Sequence, residues 1–445
     1  MGMLNYTNGV KAEALTTGDM FSTGDPMFKW PAVTDAMRHA VLDVLENFNM
    51  SGTDITNRFE REFADWMGLE FGLGFSSGTA SLQCAMYGVG LGAGDELICP
   101  GMTFWASCAQ ALSLRASVVF ADIEPDTLCL DPDDIAHRIT PRTKAIMVVH
   151  YVGHPAEMDA INAVAERHGV AVIEDVSHAH GGLYKGRMTG TFGRVAAMSL
   201  MSGKSLPIGE GGMLVTDDRE VYERAIAFGH YRRFDDRVQS PELRPYRGLP
   251  MGGQKCRMNQ LCSAMGRVQL KAYDARAAEI RRALNRFWDL LEGVPGLRAH
   301  RVPPEGNSTM AGWYAAKGLY EPEALGGLSV TRFCEAVRAE GSACYPGLNK
   351  PLHLHPLFNT ADIYGHGKPT RLAHTDRDVR QPPGSLPVSE GIGALTYAIP
   401  QFKRYRPDVI AEHATAYRKV AEHYAALLEG DPGNPPDVCG WGLEG

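Results

Sequence analysis

The chain contains 445 residues, of which 44% are hydrophobic and 22% are charged, and its formal net charge is −8. This composition is typical of a folded globular protein of two or three domains and excludes a largely disordered chain. The acidic balance argues against a general nucleic-acid binder. The sequence has no apolar run of the roughly 18 residues that a membrane span needs. We therefore expect neither a nucleic-acid partner nor a membrane partner.

The start of the chain and its cysteines indicate a cytoplasmic protein. The first eight residues have neither the basic nor the apolar region of a secretory signal. The nine cysteines are scattered, odd in number and without a Cys-x-x-Cys pair. That pattern is typical of free thiols in a reducing compartment, so we expect no disulfide framework.

The first half of the chain predicts alternating helices and strands. Residues 1–30 lack a clear hydrophobic period and are interpreted as an arm, and residues 34–48 and 55–67 have the apolar spacing of helices. The predicted strands are 71–75, 96–99, 117–121, 145–150, 170–174, 195–200 and 212–216. The predicted helices between them are 80–89, 106–112 and 158–168. Such alternation predicts an α/β fold, with a mostly parallel central sheet and helices on both faces.

After about residue 271 the alternation fades, which indicates a smaller C-terminal α+β domain. We expect helices near 269–291, 331–340 and 407–428, a long loop at 359–385 and a mobile tail from about 430. The predicted division is an N-terminal arm (1–30), a large domain (31–270), a small domain (271–430) and a tail (431–445).

The segment from Phe71 to Leu82 predicts an anion site. A strand runs into a tight turn, Ser77-Gly-Thr, and a helix follows. The free amides at the start of that helix, with Thr79 and the serines, would hold an anion such as phosphate. The glycine spacing is wrong for a dinucleotide fingerprint, and no Walker lysine follows. An ordinary strand–helix turn with a helix cap is the alternative.

A second motif is the strand end Val172-Ile-Glu-Asp, followed by Val-Ser-His-Ala-His. In an open α/β sheet, ligands bind at the carboxyl ends of strands, so Asp175 is placed to contact a cofactor. His178-x-His180 has no further ligand at zinc-site spacing, and we expect no metal site. A capping aspartate with hydrogen-bonded histidines is the alternative interpretation.

The third motif is Lys204, in a short loop between two apolar strands and close to Ser199. Most lysines are solvated surface groups. Desolvation of a lysine between core strands lowers its pKa and makes the amine a nucleophile for a carbonyl. An anion site, a strand-end aspartate and a core-loop lysine in this order are what pyridoxal phosphate requires.

These motifs resemble the DegT–DnrJ family of pyridoxal-phosphate aminotransferases, which act on keto sugars and cyclitols and have the fold type I of aspartate aminotransferase. The resemblance extends from about residue 31 to about residue 428. The pieces that carry it are Ser77-Gly-Thr-Ala-Ser-Leu, Gly94-Asp-Glu-Leu-Ile, Met102-Thr-Phe-Trp-Ala-Ser, Arg142-Thr-Lys-Ala-Ile, Glu174-Asp, the serine–lysine loop with Glu210-Gly-Gly-Met, and Arg257-Met with Gln269-Leu.

The resemblance implies a role for each candidate residue. Gly78, Thr79 and Ser199 would bind the cofactor phosphate, and Phe104 would stack on the pyridine ring. Asp175 would pair with the ring nitrogen. Lys204 would be the catalytic residue, because it would form the Schiff base and then move the proton at the reacting carbon.

Two replacements depart from the family pattern. His178 stands where the family usually has Gln, at the phenolic oxygen of the cofactor, and an imidazole could also gain a proton near neutrality. Lys255 stands where the family commonly has Asn, which reaches the phosphate from the neighbouring subunit. Both can donate hydrogen bonds. The Arg-rich segment 228–251 is either a solvated loop or a substrate-side flap or dimer contact.

The resemblance therefore implies a cytoplasmic homodimer with shared active sites and bound pyridoxal phosphate. It would transfer an amino group from glutamate or glutamine to a keto sugar, either free or nucleotide-linked, or to a keto-cyclitol, in secondary-metabolite or glycan biosynthesis. Two alternatives stay open at this point. One is a sugar dehydratase-like enzyme, against which Lys204 argues, and the other is a non-catalytic regulatory protein of the same fold.

Overall fold

The computed structural model describes residues 27–230, 237–303, 305–436 and 438–440. Most of the expected N-terminal arm and Tyr231-Arg-Arg-Phe of the Arg-rich segment therefore lie outside the described residues. The helices are α1 (Asp35–Glu46), α2 (Asp54–Met67), α3 (Gly78–Gly88), α4 (Gln110–Ser113), α5 (Pro132–Arg138), α6 (Met158–His168), α7 (Arg219–Gly229), α8 (Gln260–Lys271), α9 (Tyr273–Leu290), α10 (Val330–Ala339), α11 (Pro356–Asn359), α12 (Pro387–Gly391), α13 (Pro407–Glu422) and α14 (Ala425–Leu428). The strands are β1 (Phe71–Phe75), β2 (Glu96–Pro100), β3 (Ser117–Ala121), β4 (Thr143–Val149), β5 (Ala171–Asp175), β6 (Leu183–Tyr184), β7 (Arg187–Met188), β8 (Val195–Ser199), β9 (Gly212–Thr216), β10 (Leu297–Ala299), β11 (Lys317–Tyr320), β12 (Tyr345–Pro346) and β13 (Thr396–Ala398).

The central sheet has seven strands in the order β1-β9-β8-β5-β4-β2-β3. The pairs from β8 through β5, β4 and β2 to β3 are parallel, whereas β9 runs antiparallel to β8 and to β1. Parallel strands are covered on both faces, which explains why they appear in the sequence as continuous apolar runs. The predicted α/β class with a mostly parallel sheet is confirmed.

A buried carboxylate ties β5 to its surroundings directly before the strand ends. Glu174 is fully buried and accepts hydrogen bonds from the amides of Gly190, Phe192 and Gly193 at 2.6–2.7 Å. The ring of His150, after β4, lies 2.9 Å from the same carboxylate. These bonds satisfy a charge that would otherwise be costly to bury, and they hold the end of β5 in one place.

The second layer of structure is a four-stranded antiparallel sheet in the order β10-β11-β13-β12. Helices α9, α10 and α13 pack with it around a separate aromatic and aliphatic core, which includes Phe287, Phe333, Tyr397 and Tyr417. The predicted change from alternating to α+β character after residue 271 agrees with this arrangement. The predicted domain bounds themselves stay predictions.

Two predicted helices are interrupted in the structure. The helix expected over 269–291 is divided at Ala272 into α8 and α9, and the buried hydroxyl of Tyr273 donates to the carbonyl of His180 at 2.7 Å. The helix expected over 106–112 is a 3-10 turn, Trp105–Ser107, followed by the single turn α4. In both places long-range hydrogen bonds favour a bend over the local preference for a continuous helix.

The segment expected as a loop, 359–385, covers the edge strand β3. Arg371 is fully buried, and its Nε donates to the carbonyl of Val118 at 2.6 Å. The amide side chain of Gln381 bonds both backbone groups of Phe120. The loop therefore satisfies polar groups that an edge strand leaves open, and it joins part of the predicted small domain to the large core.

The described part of the tail makes specific contacts. The Asp431 carboxylate accepts from the amide and the hydroxyl of Ser329 at the start of α10, and Gly440 pairs with Asn349 as an isolated bridge. Within the described ranges no helix is both long enough and apolar enough to span a bilayer.

Candidate active site

A cavity of about 890 Å³ lies at the carboxyl ends of β4, β5 and β8 and reaches across to β11, β12 and β13. Seven of the eight predicted site residues line it: Gly78, Thr79, Phe104, Asp175, His178, Ser199 and Lys204. The eighth, Lys255, is exposed and does not line it. The fold thus gathers residues that are more than a hundred positions apart into one cavity.

The start of α3, where the sequence predicts an anion site, forms one wall of the cavity. The Ser77 hydroxyl caps the helix by accepting from the Ala80 amide at 3.1 Å. The first amides of a helix have no intrahelical acceptor, so those of Gly78 and Thr79 are available to a ligand. A Cβ on Gly78 would lie 2.5 Å from the Ser199 Cβ, so glycine is what lets the helix start lie against that serine. Such a cradle fits a phosphate group.

Asp175 ends β5 with its carboxylate held from two sides. Oδ2 accepts from the Ser107 hydroxyl at 2.8 Å, and Oδ1 accepts from the Ser177 amide at 3.0 Å. The side chain is buried, so these bonds both compensate its desolvation and fix its orientation. A carboxylate fixed in this way fits a protonated ring nitrogen.

Lys204 lies in the loop between β8 and β9 and is buried. Its carbonyl accepts from the indole Nε1 of Trp30 at 2.8 Å, and its Nζ lies 3.9 Å from the ring centre of Tyr314. Burial lowers the pKa of the amine to about 8, against the opposing effect of the Asp175 charge. With this pKa about a tenth of the amine is uncharged at pH 7, whereas an ordinary lysine, with a pKa of about 10.4, is almost fully charged. The uncharged amine is the form that acts as a nucleophile for a carbonyl.

His178 is held as a neutral hydrogen-bond donor. Its Nδ1 accepts from the Val152 amide at 3.3 Å, which leaves the ring proton on Nε2. Burial and the charge of Lys204 hold the pKa of His178 well below its usual value. The structure therefore does not favour the proton gain near neutrality that an imidazole would allow, and the Nε2 proton is the one that remains for donation.

Lys255 lies beside the end of β1, outside the cavity of its own chain. The neighbouring carbonyl of Cys256 accepts from the Ser76 amide at 2.7 Å, and Arg257 pairs with Phe75. This pairing places the segment one residue from the predicted anion-binding turn. Its lysine is exposed to solvent.

Among the cavity residues that the sequence motifs did not single out are Trp30, Ser107, Ser177, Tyr314 and Lys317. Ser177 could have been found, because it follows Asp175 by two positions at a strand end. Ser107 ends the motif that contains Phe104, whereas Trp30, Tyr314 and Lys317 lie in segments without any of the quoted motifs. Only the tertiary structure brings them to Asp175 and Lys204.

The architecture is that of the α/β transferases of aspartate-aminotransferase type. The chain belongs to the DegT/DnrJ/EryC1/StrS aminotransferase family, whose model matches residues 31–392. The resemblance inferred from the sequence is confirmed, and so is the expectation that the protein is an aminotransferase.

Several characterised proteins are similar to this chain. The L-glutamine:2-deoxy-scyllo-inosose aminotransferase of Streptomyces kanamyceticus is 36% identical over 352 residues, which is 76% of this chain and 81% of that protein. The L-glutamine:scyllo-inosose aminotransferase of Streptomyces griseus is 32% identical over 412 residues, which is 89% of this chain and 94% of that protein. Among solved structures, the aminotransferase from Psychrobacter cryohalolentis has a TM-score of 0.76 and 28% identity, covering 90% of this chain and 100% of that one. The structure of 3-amino-5-hydroxybenzoic acid synthase has a TM-score of 0.74 and 27% identity, and the match covers 88% of this chain and 98% of that one.

Proposed function

We propose that this aminotransferase binds pyridoxal phosphate and transfers the amino group of glutamine to the ketone of a cyclitol. The observation that carries the proposal is the cavity around Lys204, in which a buried amine with a lowered pKa shares the space with a fixed carboxylate and a phosphate-sized cradle. The names of the relatives support glutamine as donor and a keto-cyclitol as acceptor.

Pyridoxal phosphate, when bound, supplies an aldehyde that takes up amines and a ring that withdraws electrons from the carbon next to the nitrogen. The residues of this chain supply binding and proton transfer. The start of α3 and Ser199 would bind the phosphate, and Asp175 would hold the ring nitrogen protonated. Lys204 would hold the aldehyde and, once released, carry the proton at the reacting carbon. Phe104 would face the ring, and His178 Nε2 would donate to the phenolic oxygen.

The active unit in this proposal is a homodimer with shared sites. Lys255 is exposed and does not line its own cavity, although its segment pairs beside the predicted anion-binding turn. Large apolar side chains are exposed on the same segment, among them Leu249 at 77% and Met251 at 43%. A second copy that covers these side chains would bring Lys255 to the phosphate of the neighbouring site.

The first experiment tests the role of Lys204. Protein loaded with pyridoxal phosphate is reduced with borohydride, digested and analysed by mass spectrometry. We expect the reduced adduct on Lys204, and we expect Lys204→Ala to lose transamination while keeping the circular-dichroism spectrum of the wild type. An adduct on another lysine would show that the assignment is wrong. Lys144→Ala, at an exposed strand position, is the matched control.

The second experiment tests the acceptor. Protein loaded with pyridoxamine phosphate is mixed with keto-cyclitols, such as scyllo-inosose, and with nucleotide-linked keto sugars. We expect the absorbance of pyridoxal phosphate to return with a keto-cyclitol. Its return with the nucleotide-linked sugars alone would overturn the proposed acceptor class.

A further inference from the structure

The cavity contains a second lysine, Lys317, to which the proposed function assigns no role. Lys317 is the first residue of β11 and lines the cavity together with Tyr345, Asn349 and Ala398. Among the described residues that line this space, Lys204 and Lys317 are the only lysine or arginine side chains. A second cation in a substrate cavity points to a second negatively charged group in the ligand.

The ammonium of Lys317 is anchored in position. Its Nζ donates to the carbonyl of Gly347 at 2.8 Å, which uses one of its three N–H groups and leaves two for a ligand. Gly347 has a φ of +87°, and a Cβ there would overlap the carbonyl oxygen of Val438. Contact with the C-terminal tail thus fixes the backbone that holds Lys317.

No protein carboxylate balances this charge in the described part of the chain. Among the described residues Lys317 forms no ion pair with a carboxylate, and the ionisable groups that act on it are the thiols of Cys334, Cys344 and Cys439. Burial lowers the pKa of its amine to about 8. Lys317 is half-buried. An ammonium partly withdrawn from water without a counter-charge is destabilised, and an anionic group of a ligand would supply that counter-charge.

We propose that Lys317 forms an anion subsite that binds the carboxylate of the amino donor. This inference rests on the proposed function, because an α-amino acid carries a carboxylate on the carbon whose nitrogen is transferred, whereas a keto-cyclitol is uncharged. Lys204 and Lys317 line the same cavity. Tyr314, whose ring centre lies 3.9 Å from Lys204 Nζ, precedes Lys317 by three residues in the same segment.

The test compares Lys317→Met with the wild type, both loaded with pyridoxal phosphate. Calorimetry measures the affinity for α-methylglutamine, which can bind but has no α-hydrogen to transfer. We expect affinity to fall by about ten- to a hundredfold, the range for a lost hydrogen bond between charged groups. Lys317→Arg should stay within about threefold of the wild type, because it keeps the charge. The matched control, Lys144→Met, replaces an exposed strand lysine and should change nothing.

Single-turnover kinetics of the two half-reactions identify which substrate carries the anion. With Lys317→Met, the concentration of glutamine needed for half-maximal rate should rise with the loss of affinity, and the half-reaction with an uncharged keto-cyclitol should stay within about threefold. Unchanged glutamine affinity would overturn the inference. A defect confined to a nucleotide-linked keto sugar would also overturn it, because the subsite would then serve a phosphate.

Two further measurements keep the result unambiguous. If circular dichroism shows that Lys317→Met does not fold, Lys317→Gln takes its place, because it keeps a polar side chain without the charge. Its affinity for α-methylglutamine is then compared with that of the wild type. A wild-type protein that does not react with glutamine would refute the proposed function. If the wild type reacts with glutamine but the Lys317 variant binds α-methylglutamine with the same affinity as the wild type, the subsite alone would be refuted.

Discussion

The close contact between Gly78 and Ser199 gives a sharp test of the anion cradle. An alanine at position 78 would place its Cβ 2.5 Å from the Ser199 Cβ and 2.6 Å from the Ser199 Cα. Ordinary carbon–carbon contacts are about 3.5–4.0 Å, so one side must move by about 1 Å. Ser199 is held by the pairing of β8 with β9, so the start of α3 is the part that would move.

The expected cost of Gly78→Ala follows from two opposing effects. Overpacking of a core contact costs about 1–3 kcal/mol, and replacing glycine by alanine in a helix returns about 0.5–1 kcal/mol. We therefore expect the free energy of unfolding to fall by about 1 kcal/mol, within a range of about 0–2.5 kcal/mol. A 1 Å shift also stretches the hydrogen bonds to a phosphate beyond their useful range, which should weaken cofactor binding by about ten- to a hundredfold.

Chemical denaturation measures the stability of Gly78→Ala, and titration of the apoprotein with pyridoxal phosphate measures its affinity. Gly391→Ala is the matched control, because it also lies in a helix but no described heavy atom comes within 4 Å of the new Cβ. It should leave cofactor affinity unchanged and stability unchanged or slightly raised. A Gly78→Ala protein with both stability and affinity of the wild type would refute the close-packed cradle.

Three further predictions concern the residues around the site. Lys255→Ala should weaken cofactor binding about ten- to a hundredfold in a titration, through loss of a charge-assisted bond from the second subunit; a fully active monomer in dilute solution would contradict the shared site. His178→Gln should keep most of the turnover because an amide can donate the same bond, whereas His178→Phe should lower turnover and change the absorbance of the bound cofactor; equal rates and spectra in all three proteins would remove His178 from the site. Glu174→Gln should lower the free energy of unfolding by about 1–3 kcal/mol at pH 7, measured with denaturant. Burial raises the pKa of Glu174, but the hydrogen bonds from His150, Gly193 and Gly190 outweigh it and hold the pKa below its ordinary value. The stability that the ionised Glu174 contributes is therefore present above the unfolded pKa of about 4.3 and is lost as the pH falls through the folded pKa. The difference between Glu174→Gln and the wild type should therefore shrink below about pH 4, and a constant difference would contradict the assignment.

The strands of the central sheet could be predicted closely from the sequence. Each forms a short apolar run, such as Ile146–Val149 in β4, because parallel strands between two helical layers have no solvent-facing side. The helices were less predictable at their ends. The break at Ala272 depends on the bond from Tyr273 to His180, about 90 residues earlier, which local spacing does not reveal.

The sequence by itself determined the family and the α/β class, and it predicted seven residues that line one cavity, because these depend on local motifs: a strand–turn–helix with small residues, a strand-end carboxylate and a loop lysine. The tertiary structure alone decided how these groups are supported. Ser107 reaches Asp175, Trp30 holds the backbone of Lys204, and Lys317 enters the cavity from the second sheet. Burial and hydrogen-bond partners are properties of the packed chain, so the neutral state of His178 and the unbalanced charge of Lys317 follow only once distant segments meet.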